Sequence, residues 1–208
     1  LPWYLEKLNK ATYGRRKGEL YAVGAGTGVG KTDFLTQQIV YDMYELEQTV
    51  GVFFLEQKPK ETAVLLAGKR AGKMFHVPDG AWTAEERKTA LDEITAHDRI
   101  RLYDSFGVCE WDTVKANIEY MHHADGIEIF YIDHLTALAT GQGTDERVEL
   151  ERITAAIAML AKRLNVIITM VSHLATPEGK PHEEGGRVTI RHFKGSRAIG
   201  FWCHFMFG

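Results

Sequence analysis

One nine-residue stretch combines the residue types that suit the binding of a phosphate chain. Residues 24–32 read GAGTGVGKT; they follow an apolar, β-prone run (19–24, ELYAVG) and precede an amphipathic stretch that extends to about Glu47. Glycines allow consecutive backbone N–H groups to curve around a phosphate, and the N-terminus of a following helix adds its positive dipole end. We therefore predict a strand, a turn and a helix that together bind the phosphates of a nucleotide.

The stretch matches the phosphate-loop pattern GxxxxGK(S/T), except that Ala25 stands at the first glycine position. The Lys31 ammonium is expected to contact the β- and γ-phosphates, and the Thr32 hydroxyl is a hard oxygen ligand suited to Mg²⁺. ATP or another nucleoside triphosphate, with Mg²⁺, is the expected ligand. The predicted binding residues are Gly26, Thr27, Gly28, Val29, Gly30, Lys31 and Thr32.

Three further polar residues stand at the ends of apolar, strand-like runs. Asp133 ends IFYID and is the second candidate ligand for Mg²⁺; Glu56 follows VGVFFL and is a candidate base for the attacking water. His173 comes shortly after VIITMV, where an imidazole is able to hydrogen-bond a γ-phosphate. Each has an ordinary alternative: a turn aspartate, an exposed carboxylate and a loop histidine.

Composition excludes several classes of protein. The chain has 208 residues, 45% of them hydrophobic, with a net charge of -3, so it is long and apolar enough for one domain with a buried core and is not an intrinsically disordered chain. No apolar run approaches the roughly 18 residues of a membrane helix. Cys109 and Cys203 form no CxxC pair, which favours a reducing compartment, so we expect a cytoplasmic protein.

Strand-like runs alternate with helical stretches, which is typical of an α/β domain with a mostly parallel sheet flanked by helices. Thr83 and Glu86 form a capping-box pattern that predicts a helix start. We treat residues 1–208 as one domain. Strands are predicted at 19–24, 50–55, 100–103, 128–132 and 166–171, with a further strand beginning at Phe205, and a long polar loop is predicted between Ser172 and about Arg191.

A phosphate loop serves many functions, but the surrounding sequence excludes some of them. Asp133 is followed by His-Leu-Thr rather than the DxxG of a GTPase switch, no NKxD motif reads guanine, and no arginine-rich lid of a nucleoside kinase is evident. Translocating or filament-forming ATPases remain.

A set of motifs resembles the RecA-type motor domain of replicative hexameric DNA helicases. The motifs are GAGTGVGKT, FFLEQKP around Glu56, LYDSF from Leu102, YIDHL around Asp133, TDER from Thr144, VSHL around His173, HEEGG from His182 and KGSRAI from Lys194. They cover nearly the whole chain in the order of that family, and they resemble phage primase-helicases more than DnaB-type helicases or mitochondrial Twinkle. The resemblance implies a RecA-like P-loop NTPase fold, a ring of six identical subunits, single-stranded DNA as partner, and a primase domain or protein as a further partner.

The resemblance also implies roles for individual residues. Lys31 and Thr32 match the phosphate and metal positions, Asp133 the Walker B acid, Glu56 the catalytic base and His173 the γ-phosphate sensor. The loops at about 140–147 and 175–187 correspond to those that hold DNA in that family.

DNA binding also has weaker, direct support in the sequence. Residues 185–208 contain four basic residues and no acid, and Lys180 lies just upstream; such a local patch is what a channel for a nucleic-acid backbone needs, although a solvated basic face is the alternative. Lys180 and Arg197 are the candidate DNA contacts. We expect Phe193, Phe201 and Trp202 to lie in the core rather than to stack on bases.

We interpret the chain as part of a longer polypeptide, because it starts at Leu1 and ends within a strand-like run. The family's C-terminal strands and arginine finger would lie beyond Gly208, so we expect the isolated chain to bind nucleotide but to hydrolyse it weakly and not to unwind DNA. The sequence does not explain Cys203-His204. The alternative interpretation is a RecA- or KaiC-like module, an ATP-binding recombinase or regulatory assembly in which no strands are separated.

Overall fold

The computed structural model describes residues 1–25, 28, 30–78, 80–104, 109–139, 145–175, 180–194 and 196–208. Its helices and strands alternate along most of the chain. In order they are α1 Glu6–Thr12, β1 Leu20–Ala25, α2 Lys31–Tyr44, β2 Val50–Phe54, α3 Pro59–Ala71, α4 Ala84–Thr95, β3 Ile100–Leu102, α5 Trp111–Asp125, β4 Ile129–Asp133, α6 Leu135–Ala139, α7 Glu146–Leu164, β5 Ile167–His173, α8 Ser196–Trp202 and β6 Phe205–Phe207, with 3₁₀ turns at His182–Glu184 and Ile190–His192.

The strands form one six-stranded sheet in the order β3-β2-β4-β5-β1-β6, and each neighbouring pair is parallel. Every residue of β2 and β4 is buried, which explains why these strands have continuous apolar sequences rather than an alternating pattern. The fold is therefore the predicted α/β class, with a sheet that is parallel throughout.

Helices cover both faces of the sheet, so the core has two layers. One layer contains the apolar sides of α5, α6 and α7, and includes Phe53, Phe130 and Ile132 from the strands. The other layer contains the apolar sides of α2, α3 and α4, and includes Phe54 and Tyr131. Successive strand residues thus point to opposite layers.

Most predicted boundaries are correct to within one to three residues. Thr83 accepts a hydrogen bond from the Glu86 amide and begins α4, as its capping pattern predicted. The predicted end of β5 is wrong: the strand continues to His173, so this histidine is the last strand residue rather than a loop residue. The predicted long loop after Ser172 contains two 3₁₀ turns.

A buried ion pair connects the N-terminal segment to α2 and β4. The Arg15 guanidinium donates to both carboxylate oxygens of Asp42, at 2.8 and 2.5 Å, and both side chains are fully buried. The Tyr131 hydroxyl accepts from Arg15 at 2.7 Å and donates to Asp42 at 2.5 Å, and Gln38 donates to the same carboxylate at 2.8 Å. Each charge is therefore compensated by charge-assisted hydrogen bonds.

Replacing Asp42 with Asn should destabilise the protein by about 3–5 kcal/mol, because the Arg15 charge would stay buried without its counter-charge. The free energy of unfolding, measured by urea titration, checks this. Asp92→Asn is the matched control, since the Lys88–Asp92 pair is largely exposed and its loss should change stability very little. Equal losses in the two variants would contradict the prediction.

Candidate functional site

The candidate site lies at the edge of the sheet where the parallel strands end. Pairing places Ala25 of β1 beside His173 of β5, and Phe54 of β2 beside Asp133 of β4. The Leu55 amide donates to the Asp133 carbonyl at 2.6 Å, so the chain reaches Glu56 directly beside Asp133. The ends of β2, β4, β5 and β1 therefore follow one another along a single edge, which is where ligands bind in parallel α/β sheets.

The phosphate loop connects β1 to α2 at this edge. Gly28 and Gly30 have φ values of 77° and 96°, a left-handed conformation that favours glycine, and α2 begins at Lys31. The sequence pattern therefore agrees with the backbone at the described positions. Three predicted binding residues, Gly26, Thr27 and Val29, lie outside the described residues.

Thr32 and Asp133 are in direct contact, although they are far apart in sequence. The Thr32 hydroxyl donates to the Asp133 carboxylate at 2.7 Å. Burial raises the pKa of Asp133, and the hydrogen bond from Thr32 and the charges of His134 and Lys31 oppose that rise. A buried carboxylate beside a hydroxyl is a pair of hard oxygen donors, which fits Mg²⁺, and a cation there would favour the ionised carboxylate.

Glu56 and His173 meet around a residue that sequence reasoning missed, His134. The Nε2 atom of buried His134 lies 2.6 Å from Glu56 Oε1, an ion-pair distance, although Nε2 makes no hydrogen bond to a residue that the structure describes. The rings of His134 and His173 make an edge contact with centroids 4.0 Å apart. The sequence feature that could have identified His134 as a site residue is its position directly after Asp133, at the end of a strand.

These three residues also have the composition of a transition-metal site. One ligand atom from each of Glu56, His134 and His173 lies within 4.8 Å of the others. Metal–ligand bonds of about 2 Å place the ligands of a tetrahedral ion roughly 3.3 Å apart. The 2.6 Å between Nε2 and Oε1 is shorter than that, so the two side chains interact directly instead of surrounding a preformed metal position.

His173 is held in its neutral form by its surroundings. Burial lowers its pKa to about 4, and the neighbouring charges of His134 and Lys31 act in the same direction. A neutral imidazole keeps one N–H donor and one acceptor nitrogen. It is therefore able to donate a hydrogen bond to a phosphate oxygen at neutral pH.

The candidate DNA contacts are at the surface. Lys180 and Arg197 are both exposed, and Arg197 lies on α8. The two predicted DNA loops are described only in part, since residues 140–144 and 176–179 lie outside the described residues.

The aromatic residues of this region divide between core and surface. Phe193 is buried, as predicted, whereas the prediction for Phe201 is wrong because this ring is 75% exposed. The reason is helical periodicity: Ala198 and Ile199 are the buried residues of α8, and position 201 falls outside their side of the helix.

Replacing His173 with Asn should make stability less sensitive to acid. The unfolded ring takes up a proton near pH 6.5 and the folded ring only near 4, so between these values the unfolded chain binds more protons. Stability from this source is fully present above pH 6.5 and is lost as the pH falls toward 4. Urea titrations at several pH values should show a steeper loss for the unmodified protein than for His173→Asn. Exposed His123→Asn is the control, and parallel curves for all three proteins would contradict the assignment.

The phosphate-loop strand–turn–helix, together with a parallel sheet that collects acidic and imidazole side chains at one edge, defines an α/β domain of the P-loop NTPase class. Residues 1–184 match the family model described as DnaB-like helicase C terminal domain. The chain belongs to this family, whose domain is a RecA-type ATPase, and membership implies nucleoside triphosphate binding.

Individual relatives agree with that family. The chain is 31% identical over 198 residues to the DNA helicase/primase of Enterobacteria phage T3, a match that covers 92% of this chain and 35% of the phage protein. The chain thus spans about a third of that relative's length.

Two solved structures share the fold. One, an ATPase domain, superposes with a TM-score of 0.76 at 18% identity, covering 96% of this chain and 72% of that one. The other, a DnaB-like replicative helicase studied for its interactions with primase, superposes with a TM-score of 0.70 at 20% identity, covering 84% and 43%.

No helix within the described part of the chain has the length and apolar character needed to span a bilayer.

Proposed function

We propose that this chain is the ATP-hydrolysing motor domain of a replicative DNA helicase, which couples hydrolysis to movement along single-stranded DNA and to unwinding. The observation that carries the proposal is the 2.7 Å hydrogen bond between Thr32 and Asp133, because it joins the phosphate loop to the acidic strand end. Glu56 and His173 at the neighbouring strand ends supply the remaining groups that hydrolysis needs. Family membership and the phage helicase/primase relative support the link to DNA.

In this proposal, the phosphate loop and Lys31 bind the triphosphate. The glycine-rich backbone offers N–H groups at the start of α2, and the Lys31 charge is placed at the first residue of that helix. Thr32 and Asp133 would hold Mg²⁺, which when bound neutralises charge on the β- and γ-phosphates. Burial of Asp133 keeps its carboxylate in a low-dielectric setting, where its interaction with a cation is strengthened.

Glu56 and His173 act on the reacting end of the nucleotide. Glu56 orients the attacking water and accepts its proton, while the phosphoryl group is transferred to the water oxygen and the bond to the β-phosphate oxygen breaks. The neutral His173 ring donates a hydrogen bond to the γ-phosphate. Its carbonyl accepts from the Lys194 amide at 3.0 Å, so a shift of His173 on phosphate loss would reach the basic segment that contains Arg197.

We further propose a homo-hexameric ring, single-stranded DNA in its channel and a primase domain or protein as partner. The DnaB-like replicative helicase that shares this fold interacts with primase, which supports the last of these. The phage source of the relative supports action in the cytoplasm of a bacterial or phage-infected cell. The family match favours the helicase over the recombinase or regulatory alternative.

Lys31→Ala should abolish binding of a fluorescent ATP analogue, because the charge that faces the phosphates is lost.

Glu56→Gln should keep the dissociation constant for the ATP analogue within about threefold. It should lower the rate of DNA-stimulated hydrolysis by roughly 10²–10⁴-fold, the usual contribution of a general base. Binding is measured by fluorescence anisotropy and hydrolysis by phosphate release from the complete protein that contains this chain.

Lys10→Ala is the control, because this exposed lysine on α1 pairs with the exposed Glu6 across one helical turn, far from the strand ends that form the site. It should leave both values unchanged. Full hydrolysis by Glu56→Gln would contradict the assignment of Glu56 as the base.

Electron micrographs of the complete protein with DNA and a nonhydrolysable ATP analogue should show closed six-membered rings. Helical filaments would favour the alternative function, the recombinase or regulatory module.

The double variant Lys180→Ala/Arg197→Ala should bind a fluorescent oligothymidylate more weakly. Each phosphate contact that is lost should reduce the slope of log K against log salt by about 0.7. The affinity for the oligothymidylate is measured against salt concentration for the double variant, for Lys10→Ala and for the unmodified protein. The comparison with Lys10→Ala distinguishes the loss of a DNA contact from the effect of a lower net charge. A slope equal to that of Lys10→Ala would exclude both residues from the DNA interface.

A further inference from the structure

His134 is a buried histidine to which the proposed mechanism of hydrolysis assigns no role. It lies between β4 and α6, directly after Asp133, and is only 6% exposed. Its Nδ1 atom accepts from the Ala137 amide at 3.3 Å and also contacts the Thr136 hydroxyl. One side of the ring is thus fixed by the first turn of α6.

That contact determines which nitrogen carries the proton in the neutral ring. Because Nδ1 accepts a backbone N–H, the ring proton belongs on Nε2. Nε2 is the atom that lies 2.6 Å from Glu56 Oε1. An ionised carboxylate is an acceptor only, so a protonated Nε2 and this carboxylate oxygen are complementary partners at ion-pair distance.

Glu56 needs such a partner more than the other site residues do. Its side chain is 64% exposed, and a glutamate at the surface samples many rotamers. The contact with His134 is the polar contact that the structure gives this side chain within the described ranges. A base contributes fully only when it is held close to one geometry with respect to the reacting water.

His134 also touches the candidate phosphate sensor. Its ring meets the edge of His173 at a centroid distance of 4.0 Å. The same buried side chain therefore lies against the base that follows β2 and against the sensor from β5, and it fixes the spacing between them.

We propose that His134 is a positioning residue that holds Glu56 in place for the attack of water, through the Nε2–carboxylate contact. This inference rests on the proposed function, because it assumes that Glu56 is the base. It predicts that the loss of Nε2 lowers kcat and leaves nucleotide binding nearly unchanged, since the contact organises a step after binding.

Two variants separate this role from a structural one. His134→Asn keeps a polar atom near the position of Nδ1, where it is able to accept from Ala137, but cannot reach Glu56. His134→Gln extends an amide N–H toward the position of Nε2. We expect His134→Asn and His134→Ala to lower kcat by about 10–100-fold, as loss of an orienting partner does elsewhere, with the KM for ATP within about twofold. His134→Gln should recover at least about fivefold of that loss.

A double variant tests whether His134 acts through Glu56. Adding His134→Ala to Glu56→Gln should lower the hydrolysis rate no further than Glu56→Gln alone, because the effects of residues that act as a unit are not additive. His123→Ala is the control: this exposed histidine lies near the end of α5, which precedes the start of β4 at the opposite edge of the sheet. Phosphate release by the complete protein on single-stranded DNA is the measurement, with melting temperatures recorded for each variant.

The outcomes distinguish the two levels of the proposal. If Glu56→Gln stops hydrolysis while the Asn and Gln variants of His134 lose equal activity or none, the positioning role is overturned and the proposed function stands. If Glu56→Gln hydrolyses ATP normally, the assignment of the base fails, and the role of His134 fails with it. An additive loss in the double variant also overturns the proposal.

Discussion

Parallel pairing of β1, β5, β4 and β2 is the constraint on which the site depends. The carboxyl ends of parallel strands lie at the same edge of a sheet, so residues that follow different strands lie next to one another although they are distant in sequence. The register fixes the details, since Ala25 pairs with His173 and Phe54 with Asp133. Hydrogen bonding and burial in the core thus determine the relative positions of a phosphate loop, two carboxylates and two imidazoles.

Helix α2 is attached to β4 near both of its ends. Near its start, Thr32 donates to Asp133 at 2.7 Å; near its other end, Asp42 accepts from Tyr131 at 2.5 Å. The second contact belongs to the buried Arg15 network, which also anchors the N-terminal segment. A helix held at two points presents the phosphate loop at a fixed distance from the Asp133 carboxylate, and such rigidity favours a preorganised site.

The sequence was sufficient for features that depend on local pattern. The phosphate loop, the continuous apolar strands and the cap at Thr83 have strong short-range signals. Glu56 and Asp133 were found because they follow or end strand-like runs, and the parallel sheet brings them to one edge as expected. Their chemical roles remain predictions.

Features that depend on tertiary contacts were missed. The sequence around His134 gives no signal of its role, except that Asp133 precedes it. Its contacts are with Glu56, which follows β2, and with His173 of β5, and these residues come close to it only in the folded sheet. The burial of Arg15 is equally invisible in the sequence, because Arg15 begins the basic run Arg15-Arg16-Lys17, and such a run is usually solvated. The exposure of Phe201 reflects which side of a short helix faces the core, and an aromatic-rich segment does not reveal that side.

Close packing behind the phosphate loop limits how the sequence can diverge. The Phe193 ring lies against Gly24, where a Cβ atom would come within 2.5 Å of the ring carbon Cε1. Phe193 is also held in place by its neighbours, since Ala175 donates to the His192 carbonyl and Lys194 to the His173 carbonyl. Positions 24 and 193 should therefore covary among homologous proteins: a homologue with alanine at the first position needs a smaller side chain than phenylalanine at the second, and the Leu174 side chain, whose Cδ2 atom would lie 2.8 Å from that Cβ, must also move.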